Sequence, residues 1–214
     1  NYMSQILVEL IKLANLIVTV TKALACASRV ENIFEMKSSM EFVSAMTEEK
    51  SNYDIIRFEN VSLKYDGASE NAISGVNLSV KKGETVGVIG GTGSGKSTFV
   101  NLIPRFYDAT EGTVYVDGID VKKYPKEILR EKIGVVMQKA VLFKGTIEDN
   151  LKWGKNDATE AQMEKAIEIA QAKEFVDKKE GRLTSLISQG GKNLSGGQRQ
   201  RLTIARAVVK EPDI

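Results

Sequence analysis

The first 36 residues carry neither glycine nor proline, and apolar side chains dominate residues 6–27. Such a run predicts one long helix over residues 1–36. Glu9, Lys12 and Lys22 interrupt it, and its longest uncharged stretch, residues 13–21, falls well short of the ~20 apolar residues that span a bilayer. The pattern fits the inner end of a membrane helix running on into the cytoplasm, and equally an amphipathic helix docked on a protein core. Residues 37–52 mix Ser, Glu, Lys and Met without a steady period and read as a linker and domain boundary.

Beyond the linker the period changes. Residues 55–65 read as a strand, with Ile56 and Phe58 on one parity and Val61, Leu63 and Tyr65 on the other. The slip at Glu59 and Asn60 predicts a bulge. Residues 73–80 predict a second strand, residues 81–84 a turn, and residues 85–89 a short, buried, β-branched strand. Residues 112–121 read as a hairpin turning at Asp117 and Gly118, and residues 133–137 as another buried strand. Met163, Ala166, Ile167 and Ala170 follow helical spacing, so residues 159–173 form an amphipathic helix. Leu202, Ala205 and Val209 mark the inner face of a helix opened by Ser195. Antiparallel pieces come first and α/β alternation follows. A further strand begins at the closing KEPDI, and the first residue is not methionine, so the chain is expected to be a piece lacking both ends.

Composition changes this picture little. In 214 residues, 30 Lys and Arg face 28 Asp and Glu, a balance that argues for neither a nucleic-acid binder nor an acidic protein. The one cysteine, Cys26, excludes an internal disulfide and is expected as a small packed residue. With no histidine, zinc sites of the usual kind and histidine-based triads are excluded.

The strongest chemical signal is GGTGSGKST: Gly90, Gly91, Thr92, Gly93, Ser94, Gly95, Lys96, Ser97 and Thr98. It fits G-x-x-x-x-G-K-[ST] between a predicted strand and a helix over residues 97–106. Glycines let the backbone wrap a phosphate, so several N–H groups converge on it. Lys96 adds a cation for the β- and γ-phosphates, and Ser97 offers a hydroxyl to Mg²⁺. A second anion-gripping start lies far downstream in NLSGGQRQR, where Ser195 is a good N-cap and Gly196 and Gly197 leave N–H groups bare. It has no lysine placed like Lys96.

Gln138 in VVMQKAVLF, the stretch LFKGTIEDNL over residues 142–151, LSGGQ over residues 194–198 and Tyr65 upstream complete a set. Together they resemble the nucleotide-binding domain of ABC transporters, and LF-x-GTI-x-x-NL is similar to the exporter type. The resemblance spans residues 53–214. It implies an α/β fold: a P-loop NTPase core with an antiparallel β-subdomain and a helical signature subdomain, preceded by a long helix. Residues 1–36 then resemble the end of the last transmembrane helix with its cytoplasmic extension, and residues 37–52 a linker.

The resemblance further implies ATP and Mg²⁺ as cofactors and ATP hydrolysis coupled to solute export. The protein would sit in the cell membrane as a multi-pass subunit, with its ATP-binding domain cytoplasmic and no part for nucleic acid. A soluble ABC-type ATPase is the alternative, disfavoured by the apolar helix. Tyr65 matches the aromatic that stacks on adenine. Lys96 and Gln138 match catalytic positions, and Gln138 joins Ser97 at Mg²⁺. Ser195, Gly196, Gly197 and Gln198 match the signature that grips the γ-phosphate of a nucleotide held by a second half-transporter subunit, identical or different. Residues 150–155 and 190–207 resemble the bacterial heterodimeric subset. Two anion-gripping starts are then needed because each nucleotide lies between two chains. The family's next strand carries an aspartate and a catalytic carboxylate, with a histidine beyond. This sequence stops before all three, so the piece alone is expected to bind ATP weakly and turn over almost none.

Overall fold

Glycine, capping and alternation rules account for most elements of the computed structural model, which describes residues 2–36, 38, 40–45 and 54–214. The linker expected over residues 37–52 therefore lies largely outside the described residues. The chain divides into two units, Asn1–Glu41 and Phe42–Ile214.

The first unit is one helix, α1 (Tyr2–Glu35), none of whose residues is buried. Cys26 is exposed with the rest, against the expectation of a packed residue. At 34 residues and a mean hydropathy of 1.6 over its most apolar window, α1 is long and apolar enough to cross a membrane. Counting only uncharged residues understated it. Lys12 is paired with Glu9 at 2.8 Å. The hydroxyls of Thr19 and Thr21 donate to the carbonyls of Asn15 and Ile17, so both polar groups are satisfied within the helix.

The second unit opens with β1 (Asp54–Leu63), β2 (Ile73–Lys81), β3 (Glu111–Val116) and β4 (Ile119–Asp120), an antiparallel sheet in the order β2-β1-β3-β4. The expected bulge is present. The β1 register slips between Phe58 and Val61, and Asn60 takes φ 48°. Gly112 lies beside the bulge at φ +74°, and a Cβ there would collide with the carbonyl oxygens of Glu59 and Asn60. Gly112→Ala is thus expected to cost about 3 kcal/mol in chemical unfolding of the second unit, and a change below about 1 kcal/mol would contradict this account. Asp117 and Gly118 both take positive φ at the β3–β4 turn, as a two-residue hairpin needs. Phe58, Val61, Val114, Val116 and Ile119 bury this sheet's inner face against Leu102 and Leu129.

Helix α2 (Lys96–Leu102) is shorter than expected and ends in turns where Arg105 takes φ 51°. Helix α3 (Lys126–Lys132) follows the hairpin. A helical part comprises β5 (Gly145–Thr146), α4 (Ile147–Lys152), α5 (Glu160–Ile169), α6 (Lys173–Asp177), β6 (Leu186–Ile187) and α7 (Gly196–Val208). Thr159 caps α5 reciprocally with Gln162, and Gln171 at φ 54° breaks the expected helix before α6. Leu202, Ala205 and Val209 face a core built from Leu142, Ile147, Leu151, Met163 and Ile167.

Two expected strands are not formed. Residues 84–91 belong to no sheet, and Val86, Val88 and Ile89 are exposed. Residues 133–137 make a single bridge: Ile214 N–H donates to the Lys132 carbonyl at 3.0 Å, and Gly134 N–H donates to the Ile214 carbonyl at 2.7 Å. That slanted pair is the pattern of a parallel ladder, one residue long. A strand exists only where a neighbour accepts its backbone bonds, and among the described residues no strand pairs with residues 84–91.

Candidate functional site

The loop at residues 90–98 is shaped by its glycines. Gly93 and Gly95 take φ +83° and +82°, a region that side chains disfavour. A Cβ on Gly95 would sit 2.5 Å from Ile73 Cγ2 and 2.6 Å from the Ala72 carbonyl, so the start of α2 lies tight against β2. The half-buried Lys96 folds back into the loop. Its Nζ donates to the carbonyls of Gly90 at 2.8 Å and Gly91 at 2.6 Å, and more weakly to Ser94 Oγ at 3.3 Å. A four-carbon stem thus brings one cation to the middle of a ring of backbone. Gly90, Gly91, Thr92, Gly93, Ser94 and Ser97 are exposed around it, and Thr98 is buried beneath.

A cleft of about 660 Å³ joins Lys96 and Ser97 to Gln138, with Thr203 and Arg206 on its far wall. Gln138 is exposed on the loop leading to β5. Ser97 and Gln138 both offer neutral oxygens, a donor set that suits a hard cation such as Mg²⁺ only if phosphate and water complete the shell. No group of three Asp, Glu, Cys or His side chains able to hold a metal occurs among the described residues.

Ser195 caps α7, its Oγ accepting from Gln198 N–H at 3.2 Å while Gln198 Oε1 accepts from Ser195 N–H at 3.0 Å. The N–H groups of Gly196 and Gly197 stand in the first helical turn, where no carbonyl lies four residues behind. They are exposed, and no atom lies within 4 Å of a Cβ built on Gly197. This helix start opens on a separate cleft of about 370 Å³ with Lys178 and Arg201. The structure thus gathers Lys96, Ser97 and Gln138 in one place and sets the signature residues in another. Tyr65 lines neither cleft. It lies just past β1, with its hydroxyl 2.9 Å from Thr98 Oγ1.

Sequence reasoning missed the side chains that hold these parts. Asn150 in α4 donates to the carbonyls of Phe143 and Thr146 and accepts from Phe143 N–H, fixing the loop after Gln138. Asn193 and Arg199 brace the turn ahead of Ser195 through the carbonyls of Leu186 and Leu194. Arg206 in α7 donates to the Val141 carbonyl at 2.9 Å, tying the signature helix to the Gln138 loop. Burial pushes its guanidinium pKa down, although an arginine stays charged. Asn150, Asn193 and Arg199 have partners within eight residues, but a lone polar side chain does not say which carbonyl it will meet, and the Val141 partner of Arg206 is 65 residues away.

Residues 73–214 match the ABC transporter family. Over its whole length the chain is 37% identical to YfiB of Bacillus subtilis (strain 168), described as an uncharacterized ABC transporter ATP-binding protein, and spans 37% of it. It is 44% identical to ABC transporter B family member 21 of Arabidopsis thaliana over 74% of this chain and 12% of that one. It is 37% identical to an ATP-dependent lipid A-core flippase of Desulfotalea psychrophila over 92% of this chain and 34% of that one. A solved bacterial Atm1-family ABC exporter with ATP bound superposes with TM-score 0.80 at 30% identity, covering 91% of this chain and 34% of that one. With this fold and these matches, the chain belongs to the ABC transporter family, as part of its nucleotide-binding domain.

Proposed function

We propose that this chain is the ATP-binding part of an exporter in which ATP hydrolysis drives a solute out across a membrane. The observation that carries the reading is the pairing, within one body, of a loop closed on Lys96 with a lysine-free helix start at Ser195 that opens on a different cleft. In this reading α1 is the end of the last transmembrane helix and its cytoplasmic extension, in a multi-pass subunit of the cell membrane. The ATPase domain, residues 53–214, lies in the cytoplasm.

The residues divide the chemistry among them. The backbone of residues 90–98 and Lys96 hold the phosphates, and Tyr65 gives the adenine a flat apolar face. Ser97 and Gln138 would hold Mg²⁺, which would supply positive charge against the phosphates. Gln138 also orients the attacking water. Ser195, Gly196, Gly197 and Gln198 grip the γ-phosphate of a nucleotide held by a second half-transporter subunit. Loss of that phosphate weakens the grip and opens the dimer, so ATP selects between two global states. Residues 150–155 and 190–207 favour a partner of different sequence.

The test uses the intact protein. ATP hydrolysis should copurify with membranes that withstand an alkaline carbonate wash, and release of the protein by that wash would support the soluble ATPase instead. At Tyr65 only the stacking face matters, so Tyr65→Ala should weaken ATP about tenfold while Tyr65→Trp changes it little. Equal losses would mean that Tyr65 packs rather than stacks.

A further inference from the structure

We propose that Tyr107 is a positioning residue for adenine recognition, holding the Tyr65 ring edge-on in a preformed platform. This rests on the reading of Tyr65 as the base-stacking residue. The two rings lie 5.1 Å apart at an interplanar angle of 85°. A perpendicular neighbour covers at most one face of Tyr65, and the residue keeps 36% of its surface exposed for a base to cover. The Tyr65 hydroxyl is meanwhile 2.9 Å from Thr98 Oγ1 in the first turn of α2, which fixes the ring's far end beside the phosphate loop. Ring tilt and ring reach are therefore each set by a different partner.

The segment carrying Tyr107 is itself held firmly. Buried Arg105 makes a two-pronged ion pair with Asp108, at 2.6 and 3.0 Å. At its end, Thr110 N–H donates to the Ser62 carbonyl and Thr110 Oγ1 accepts from Lys64 N–H at 2.7 Å. The backbone on either side of Tyr107 is tied to α2 at one end, where Phe106 N–H donates to the Asn101 carbonyl at 2.9 Å, and to the residue before Tyr65 at the other. Two aromatic side chains on segments joined this way keep their mutual geometry. Tyr107 makes Tyr65 a rigid platform that loses little rotamer entropy when a base stacks on it.

The experiment separates base recognition from phosphate binding. In the intact protein, ATP and inorganic tripolyphosphate are each titrated against a fluorescent nucleotide, in the presence of magnesium. Tyr107→Leu should weaken ATP about three- to tenfold, the size of a lost edge-to-face pair, and leave tripolyphosphate within about twofold. Tyr107→Phe keeps the edge and should bind ATP like the parent. The inference is overturned if Tyr107→Leu leaves ATP unchanged while Tyr65→Ala weakens it, or if Tyr107→Leu weakens both ligands alike. No effect of Tyr65→Ala on ATP would remove the base-stacking reading itself, and the inference with it.

Discussion

Lys96→Ala is expected to lower ATP hydrolysis by the intact protein at least about a hundredfold, the usual loss when a positioned charge at a developing anion is removed. Lys96 is held centrally by the loop it would serve, donating to the Gly90 and Gly91 carbonyls at 2.8 and 2.6 Å. It is the one cation lining the cleft that is also part of the loop. Alanine removes the charge and the two bonds that draw residues 90 and 91 together, so nucleotide affinity falls along with turnover. The fold should survive, because the α2 residues that enter the core are Thr98 and Leu102, not the lysine. Hydrolysis within about tenfold of the parent, with an unchanged melting curve, would mean that the backbone alone holds the phosphates.

Gly197→Asp should abolish transport while leaving this chain's own nucleotide binding nearly unchanged. A Cβ at Gly197 meets no atom within 4 Å, and its backbone does not need a positive φ. The substitution therefore costs the folded chain little, and an aspartate in the first turn even suits the helix dipole. Its carboxylate instead crowds and repels an anion approaching from outside. Labelling each subunit of the intact complex with a photoreactive ATP reads the consequence. Labelling through this chain's Lys96 loop should persist, and labelling of the partner's closed site should vanish. The reverse pattern would place the signature and the loop of one chain on one nucleotide.

How much of this was legible depended on the range of the interaction. The bulge at Asn60, the turn at Asp117 and Gly118 and the cap at Ser195 are decided within a few residues, and the sequence shows them. The Lys96 loop is equally local. Residues 85–89 carry the composition of a buried strand, yet strand formation is settled by a neighbour's backbone, about which composition is silent. The Arg206 bond to Val141 joins positions 65 residues apart, and the Tyr65 contact with Thr98 spans 33. Neither leaves a periodic trace. Tyr107 was invisible for the same reason, since one aromatic in a loop says nothing of the ring it meets.

The way Lys96 is bonded has a consequence for selectivity. Because two carbonyls already hold the ammonium, an incoming anion gains from this lysine only the difference between its own oxygens and theirs. A weakly charged or singly anchored anion gains almost nothing by that exchange. A polyphosphate, which also fills the surrounding N–H groups, gains on every contact at once. A loop bonded this way therefore favours anions of high charge density that meet several N–H groups together.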